Sequence, residues 1–215
     1  MKNYNYSKSS AFSIIEVLIG IFIFTMGLLS VYMLLQSSFN MNEDNKNRIV
    51  AANLAREGIE LVRNIRDSNY KNIHKFNQIN PKYSSNDAED YSKGENIFQT
   101  GVYYKVGNNF NGGVSEFPIK LEKISNFGEG VADLEKMDNY RLCLDTENKY
   151  SYCDDNFTKK TNFYRYIKFD DLTYDSGGLN VTETDSYTLD SKVLWYAKGL
   201  HELDIKTILT DYKKL

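Results

Sequence analysis

Residues 12–35 form one apolar stretch, FSIIEVLIGIFIFTMGLLSVYMLL. Its only charged side chain is Glu16. As a helix the stretch would extend roughly 36 Å, at about 1.5 Å per residue, which is enough to cross a hydrocarbon core of about 30 Å. The sequence therefore predicts a membrane-spanning helix. An ionisable side chain inside such a helix usually marks a function and has a partner.

The residues in front of this helix form a short leader that ends at a small residue, Ala11. An ordinary secretory signal has the reverse order, with its cleavage site after an apolar region of about 7–15 residues. Cleavage at Ala11 would therefore leave the helix on the mature chain. Residues 11–18, AFSIIEVL, resemble the class III signal of type IV pilins and pseudopilins. The resemblance implies that a prepilin peptidase cleaves between Ala11 and Phe12 and methylates the new amino group of Phe12, although Gly is commoner than Ala before the cut in that family.

By the same resemblance, Glu16 is the fifth residue of the mature chain. It lies about 6 Å along the helix axis from the Phe12 amine. An ammonium and a carboxylate attract strongly in a low dielectric, but the amine cannot easily fold back within one helix. We expect an axially displaced neighbouring subunit to present its amine instead, so that Glu16 sets the register of assembly. The alternative is a plain membrane anchor with Glu16 solvated near the interface.

Lys2 and Lys8 precede the helix, and the first 15 residues include no acidic side chain. Because positive charge tends to stay on the cytoplasmic side, we expect the N-terminus inside and everything after Leu35 exported. The predicted location is the cytoplasmic membrane, as a single-pass protein, before assembly, and the pilus or cell surface after it. The predicted divisions are a leader (1–11), a long helix (12–67, with 12–35 transmembrane) and a head (68–215).

The helical pattern continues beyond the membrane stretch, since no proline occurs before Pro81. Apolar side chains recur on one side at 3.6 residues per turn, and charged side chains fall on the other. We therefore expect one helix from Phe12 to Asp67, with its outer apolar stripe covered by the chain's own sheet. Ile49 and Ile59 lie on the charged side, where contact with a neighbouring subunit and simple exposure are both open. The stripe comprises Val50, Ala51, Leu54, Gly58, Leu61, Val62 and Ile65.

In the head, residues 68–100 are polar and are predicted to loop over the surface. Strand-like alternation then recurs, and Arg165 interrupts the apolar face of one segment. Such alternation predicts an antiparallel sheet with one solvated face and one face on the helix stripe. The predicted fold is therefore α+β, which the pilin resemblance also implies. The alternating segments are 102–106, 119–122, 163–169, 192–196 and 201–210.

Two cysteines, Cys143 and Cys153, flank a polar turn at residues 146–149. Two short strands on either side of that turn would place the cysteines opposite each other. In an exported head this predicts a disulfide, with free thiols as the alternative. The pilin family often carries a disulfide in its C-terminal half. A metal site is not favoured, because His74 and His201 lie far away in the sequence.

The remaining residues indicate no catalytic chemistry. The chain has no phosphate-binding glycine loop, no zinc-protease helix motif and no serine-hydrolase motif. Acidic pairs at 154–155 and 170–171, and Asp185, match no calcium loop. The formal net charge of −3 and the absence of a basic patch argue against nucleic-acid binding. We therefore predict no enzyme activity, no metal and no cofactor.

Two further stretches, residues 54–67 and 193–212, resemble segments of PilV-type minor pilins. The resemblance implies a structural subunit of a type IV pilus or related filament. Its partners would be other pilin subunits, a prepilin peptidase, the pilus assembly platform and, before assembly, the membrane. A pseudopilin of a type II secretion system is an alternative. Another is a pilus-tip adhesin, whose tyrosine-rich head would bind a surface or a polymer.

Overall fold

The computed structural model describes residues 13–71, 74–79, 97–108, 119–145, 147–153, 159–176 and 179–212. The chain divides into two compact units, residues 1–46 and 47–215. Helix α1, Ile14–Lys71, begins in the first unit and ends in the second. The predicted cleavage site at Ala11 and Phe12 and the acidic pair at 154–155 lie outside the described residues.

In the second unit an antiparallel sheet packs on α1, which confirms the predicted α+β fold. The strand order is β2-β1-β5-β3-β4, with β6 paired to β5 and β7 paired to β6. A short helix, α2 (Leu134–Met137), precedes β3. The strands are β1 (Tyr103–Asn108), β2 (Ile119–Lys123), β3 (Arg141–Leu144), β4 (Tyr150–Tyr152), β5 (Lys159–Ser176), β6 (Leu179–Tyr196) and β7 (Leu200–Thr210).

Two apolar clusters join α1 to the sheet. The first packs Ala51, Leu54 and Ala55 of the helix against residues that include Phe163 and Trp195. The second packs later residues of the helix against later residues of β5, and its members include Ile59, Val62, Ile65, Ile167 and Phe169. Because both elements enter the two clusters in the same order, α1 and β5 run side by side in the same direction.

The buried stripe of α1 is broader than the sequence pattern predicted. Ile59, which was expected on the charged side, is only 5% exposed and belongs to the second cluster. Ile49, on the same predicted side, is 63% exposed. The sheet extends beneath the flank of the stripe that carries Ile59, so only Ile49 of this pair faces outward.

The helix ends at Lys71, four residues beyond the predicted Asp67. Asn69 in this last turn is buried, and its Nδ2 donates hydrogen bonds to the carbonyls of Phe76 and Gln78, at 3.3 and 2.8 Å. The prediction that residues 68–100 simply loop over the surface is therefore wrong for the described parts of that stretch. Several of its side chains are buried: His74, Phe76, Gln78 and Phe98.

The face of the sheet opposite α1 is not uniformly solvated, contrary to the prediction. Residues 124–140 cover part of it. Phe127 stacks on Tyr103 with 3.6 Å between ring centroids, and the Tyr166 hydroxyl donates to Glu129 at 3.1 Å. Because the strands also carry aromatic side chains on this face, residues 124–140 bury apolar surface when they pack against it.

Cys143 in β3 and Cys153, just after β4, form a disulfide with their Cα atoms 5.0 Å apart. The two strands are the short pair predicted around the turn. The cysteines are not directly opposite, however, since Cys143 pairs with Ser151. The backbone N–H of Cys153 donates to the carbonyl of Arg141 at 3.1 Å. The disulfide therefore crosses the hairpin diagonally.

Candidate functional site

Residues 14–42 of α1, in the first unit, form a helical surface that is apolar on every side. Between residues 13 and 42 the only Asp, Glu, Lys or Arg is Glu16. The large apolar side chains there, from Ile14 to Met41, are all at least half exposed within this chain. By length and composition this part of α1 could cross a membrane. A helix that is apolar all round needs lipid or other helices around it.

Three hydroxyl side chains in this surface have hydrogen-bond partners within the helix itself. Those of Thr25, Ser30 and Ser38 donate to backbone carbonyls three or four residues earlier, at distances of 2.8–3.0 Å. Such bonds satisfy a polar group inside hydrocarbon. Glu16 is therefore the side chain whose charge still requires compensation.

Glu16 lies in the first turn of α1. Its backbone N–H and that of Val17 donate to the carbonyl of Ser13, at 3.0 and 3.2 Å. The carboxylate is exposed, and no ion pair or hydrogen bond to it occurs within the described part of the chain. A negative charge here is favoured by the helix dipole, but a full counter-charge must come from outside these residues.

Two glycines lie on the same helix face as Glu16. At 100° per residue, Glu16, Gly20 and Gly27 fall within about 40° of one another. A Cβ atom at either glycine would meet nothing within 4 Å. Small residues let helix backbones approach closely in lipid, so a neighbouring helix could pack closely against this face. The seven-residue spacing of the glycines is the sequence signal for it.

A second constellation, centred on Arg165, holds α1 to the sheet. Sequence reasoning identified Arg165 only as an interruption of an apolar strand face. In the structure it is 2% exposed and donates to the carbonyls of Leu54 in α1 and Val106 in β1, at 3.1 and 3.0 Å. Its Nε donates to the hydroxyl of Tyr152 at 3.4 Å. A charged residue at an inward position of an alternating strand is the signal for such a site.

Burial by itself would lower the pKa of Arg165, but Tyr152 and Glu57 raise it above its ordinary value through charge and hydrogen bonding. The guanidinium therefore stays charged beneath the helix. Gly58 permits this close approach, since a Cβ at that position would lie 2.6 Å from Ser191 Oγ and 3.0 Å from Ile167 Cδ1. The role of this constellation is structural, because it connects helix and strands without an accessible reactive group.

The described residues include no group of three or more His, Cys, Asp or Glu placed to hold a metal ion. Of the predicted site residues, the structure joins Cys143 to Cys153 and places Glu16 on the apolar surface.

Comparisons with protein-family models, with curated proteins and with solved structures found no match for this chain.

Proposed function

We propose that this chain is a minor pilin-like structural subunit of a type IV pilus or a related filament. The observation that carries the proposal is the placement of Glu16. It is the single charge on an apolar helical surface and is the acidic residue within the AFSIIEVL signature. A helix that served only as an anchor would not need a carboxylate there, because a charge inside the membrane is costly in free energy.

The proposed sequence of events begins with insertion of residues 12–35 into the membrane. A prepilin peptidase then cleaves before Phe12 and methylates its amine. The assembly platform transfers the subunit into a filament, where helices of other pilin subunits replace lipid around the apolar surface. Glu16 accepts the charged Phe12 amine of the neighbouring subunit, and the face with Gly20 and Gly27 lets the two backbones approach. The role needs no catalysis by this chain.

Glu16→Ala tests the proposal, with Glu43→Ala as a matched control outside the apolar surface. We expect Glu16→Ala to lower the amount of subunit in sheared filaments about tenfold or more while its level in the membrane stays the same. Loss of a well-placed counter-charge in low dielectric accounts for an effect of that size. The control should assemble normally. Assembly of the Glu16→Ala variant at the wild-type rate would contradict the proposal.

Immunogold labelling of the wild-type chain distinguishes the positions such a subunit can take. Label along fibres identifies a shaft subunit, and label at fibre ends identifies a tip subunit with an adhesin role. Label over the envelope without fibres identifies a short secretion pseudopilus.

A further inference from the structure

The short strand β4 has few attachments to the rest of the sheet. Within the described part of the chain it pairs with β3 alone, over three residues. Its two ends are held in different ways. At the turn, the carboxylate of Asp145 accepts hydrogen bonds from the backbone N–H groups of Glu147 and Lys149, both at 2.8 Å. At the other end, Cys153 directly follows Tyr152, so the disulfide secures that end of the strand.

Tyr152 carries contacts from this end of β4 into the core. It is only 2% exposed, although β4 lies at the edge of the sheet. Its hydroxyl donates to the carbonyl of Arg165 in β5 at 3.0 Å and accepts from the backbone N–H of Val106 in β1 at 3.4 Å. The Nε of Arg165 also donates to this hydroxyl, and the guanidinium lies over the phenol ring, 5.4 Å from its centroid. One phenol therefore joins β4 to two strands other than its pairing partner.

The position of Arg165 in β5 explains why this phenol matters. The pairing of β5 with β3 ends at Tyr164, and its pairing with β1 begins at Ile167, so Arg165 lies between the two. There the Tyr152 hydroxyl supplies a hydrogen-bond donor to the carbonyl of Arg165. The guanidinium of the same residue reaches α1, where it donates to the carbonyl of Leu54 at 3.1 Å. Arg165 thus connects the phenol to the helix.

A continuous series of contacts therefore runs from the disulfide to α1. Cys153 is the covalent neighbour of Tyr152, the Tyr152 hydroxyl bonds to Arg165, and Arg165 bonds to Leu54. The last three residues are each at most 4% exposed, so water does not readily replace a lost partner. A displaced phenol would leave buried hydrogen-bonding groups unpaired, which costs more free energy than the loss of a surface contact.

We propose that the Cys143–Cys153 disulfide controls how firmly the sheet holds α1. The intact bond fixes the end of β4 that carries Tyr152, and Tyr152 in turn fixes Arg165 beneath the helix. A dithiol reductant cleaves the S–S bond by supplying two electrons and two protons, which gives two thiols, while the reductant is itself oxidised to a disulfide. Once this end of β4 is released, Tyr152 leaves its position more often, and Arg165 loses one of the groups that hold it in place.

The chain thus gains its full hold on α1 only after its two cysteines are oxidised, as they are in oxidising compartments. This effect differs from the stabilisation that a disulfide gives by restricting the unfolded chain. Restriction of the unfolded chain acts on the whole head, whereas the proposed coupling acts on one contact between helix and sheet. It concerns the second unit alone and does not depend on what the chain assembles into.

Hydrogen–deuterium exchange of the full chain in detergent, read by mass spectrometry, tests this coupling. The variant replaces both cysteines, Cys143→Ser with Cys153→Ser. We expect amide exchange in residues 54–58 of α1 to become about tenfold faster relative to that in residues 189–193 of β6, because local opening of the helix contact then limits it. An equal change in both segments would indicate general destabilisation. That result, or no change in either segment, would overturn the proposal.

The matched control, Asp145→Ala, loosens the same hairpin at its turn. It removes the acceptor for the N–H groups of Glu147 and Lys149 and leaves the disulfide and Tyr152 in place. Exchange in residues 54–58 should then stay within about twofold of the wild-type rate. An increase as large as that of the serine variant would show that any weakening of the hairpin suffices, which contradicts a specific part for the disulfide.

Tyr152→Phe tests the path while the disulfide is intact. It removes only the hydroxyl, so exchange in residues 54–58 should rise about tenfold, the effect of one lost buried hydrogen bond. Adding the two serine substitutions should then produce little further increase, because both changes act through the same contact. Wild-type exchange in Tyr152→Phe, or strict additivity of the changes, would refute the path. The wild-type chain reduced by a dithiol should match the serine variant, and unchanged exchange after full reduction would overturn the coupling.

Discussion

The Nη1 atom of Arg165, buried beneath α1, lies 3.2 Å from Oε2 of Glu57 on the helix. The two residues differ sharply in environment, because the Arg165 side chain is 2% exposed and that of Glu57 is 46% exposed. The arginine depends on its protein partners for every bond it makes, whereas the glutamate keeps part of its hydration.

This asymmetry predicts unequal costs of removing the two charges. Arg165→Met should lower the free energy of unfolding by about 3–5 kcal/mol, because it removes the guanidinium donor from the buried carbonyl of Val106 and leaves Glu57 without its buried counter-charge. Glu57→Gln should cost about 1 kcal/mol or less. Denaturant unfolding of the full chain in detergent measures both. Equal losses would show that the ion pair, rather than the buried hydrogen bonds, is decisive.

We expect even the smallest side chain in place of Gly58 to lower the stability of the fold. At an exposed interior helical site, Gly→Ala stabilises by up to about 1 kcal/mol. Here the new Cβ would lie 2.6 Å from Ser191 Oγ, so Gly58→Ala should destabilise by about 1–3 kcal/mol. Ser191→Ala removes the obstructing hydroxyl, which has no hydrogen-bond partner among the described residues. The double variant should recover most of the loss in thermal unfolding, and strict additivity of the two changes would argue against this contact.

Loss of the disulfide should destabilise the head moderately. Cys143 and Cys153 are ten residues apart in sequence, and closing a loop of this size contributes about 2–3 kcal/mol in the chain-entropy account. The paired substitution to serine should lower the melting temperature, and a reductant should lower that of the wild type equally. No shift under full reduction would contradict the expectation.

The head should unfold at alkaline pH. Burial, together with the nearby charge of Glu129, raises the pKa of Tyr140 and of Tyr166 well above its ordinary value near 10. Above about pH 10 the unfolded chain therefore releases protons that the folded chain retains, and stability falls as pH rises. Circular dichroism and phenolate absorbance should change together for these residues. Tyr166→Phe should make the fall less steep, and complete phenolate formation in a folded chain would contradict the account.

Much of the fold could be predicted from the sequence, because it follows from periodicity. The 3.6-residue stripe on α1 and the alternation in β7, where Leu203 and Ile205 are partly buried and Leu209 is buried, both come from residues whose environment their own segment sets. Ile59 was misplaced because the width of the stripe depends on which strands lie beneath it. Arg165 was underestimated for a similar reason. Its partners Leu54 and Val106 lie 111 and 59 residues away, and no local pattern indicates that they meet.

The apolar helical surface that carries Glu16 could be predicted for the opposite reason. Its signals are local, namely an uninterrupted apolar run, a single carboxylate and a small residue ahead of both. The shared helix face of Glu16, Gly20 and Gly27 was not predicted, although a helical projection of the sequence is enough to show it. The pairing of β5 with β6 continues beyond the end of the pairing of β6 with β7, and strand alternation alone does not indicate where a neighbouring strand stops.

Mass spectrometry of the N-terminal peptide of the mature chain tests whether Glu16 has the partner proposed for it. We expect a chain that begins at Phe12 with a methylated amino group, since only cleavage after Ala11 creates the amine that Glu16 is proposed to accept. A chain that retains Met1, or one cut after the apolar stretch, would contradict it.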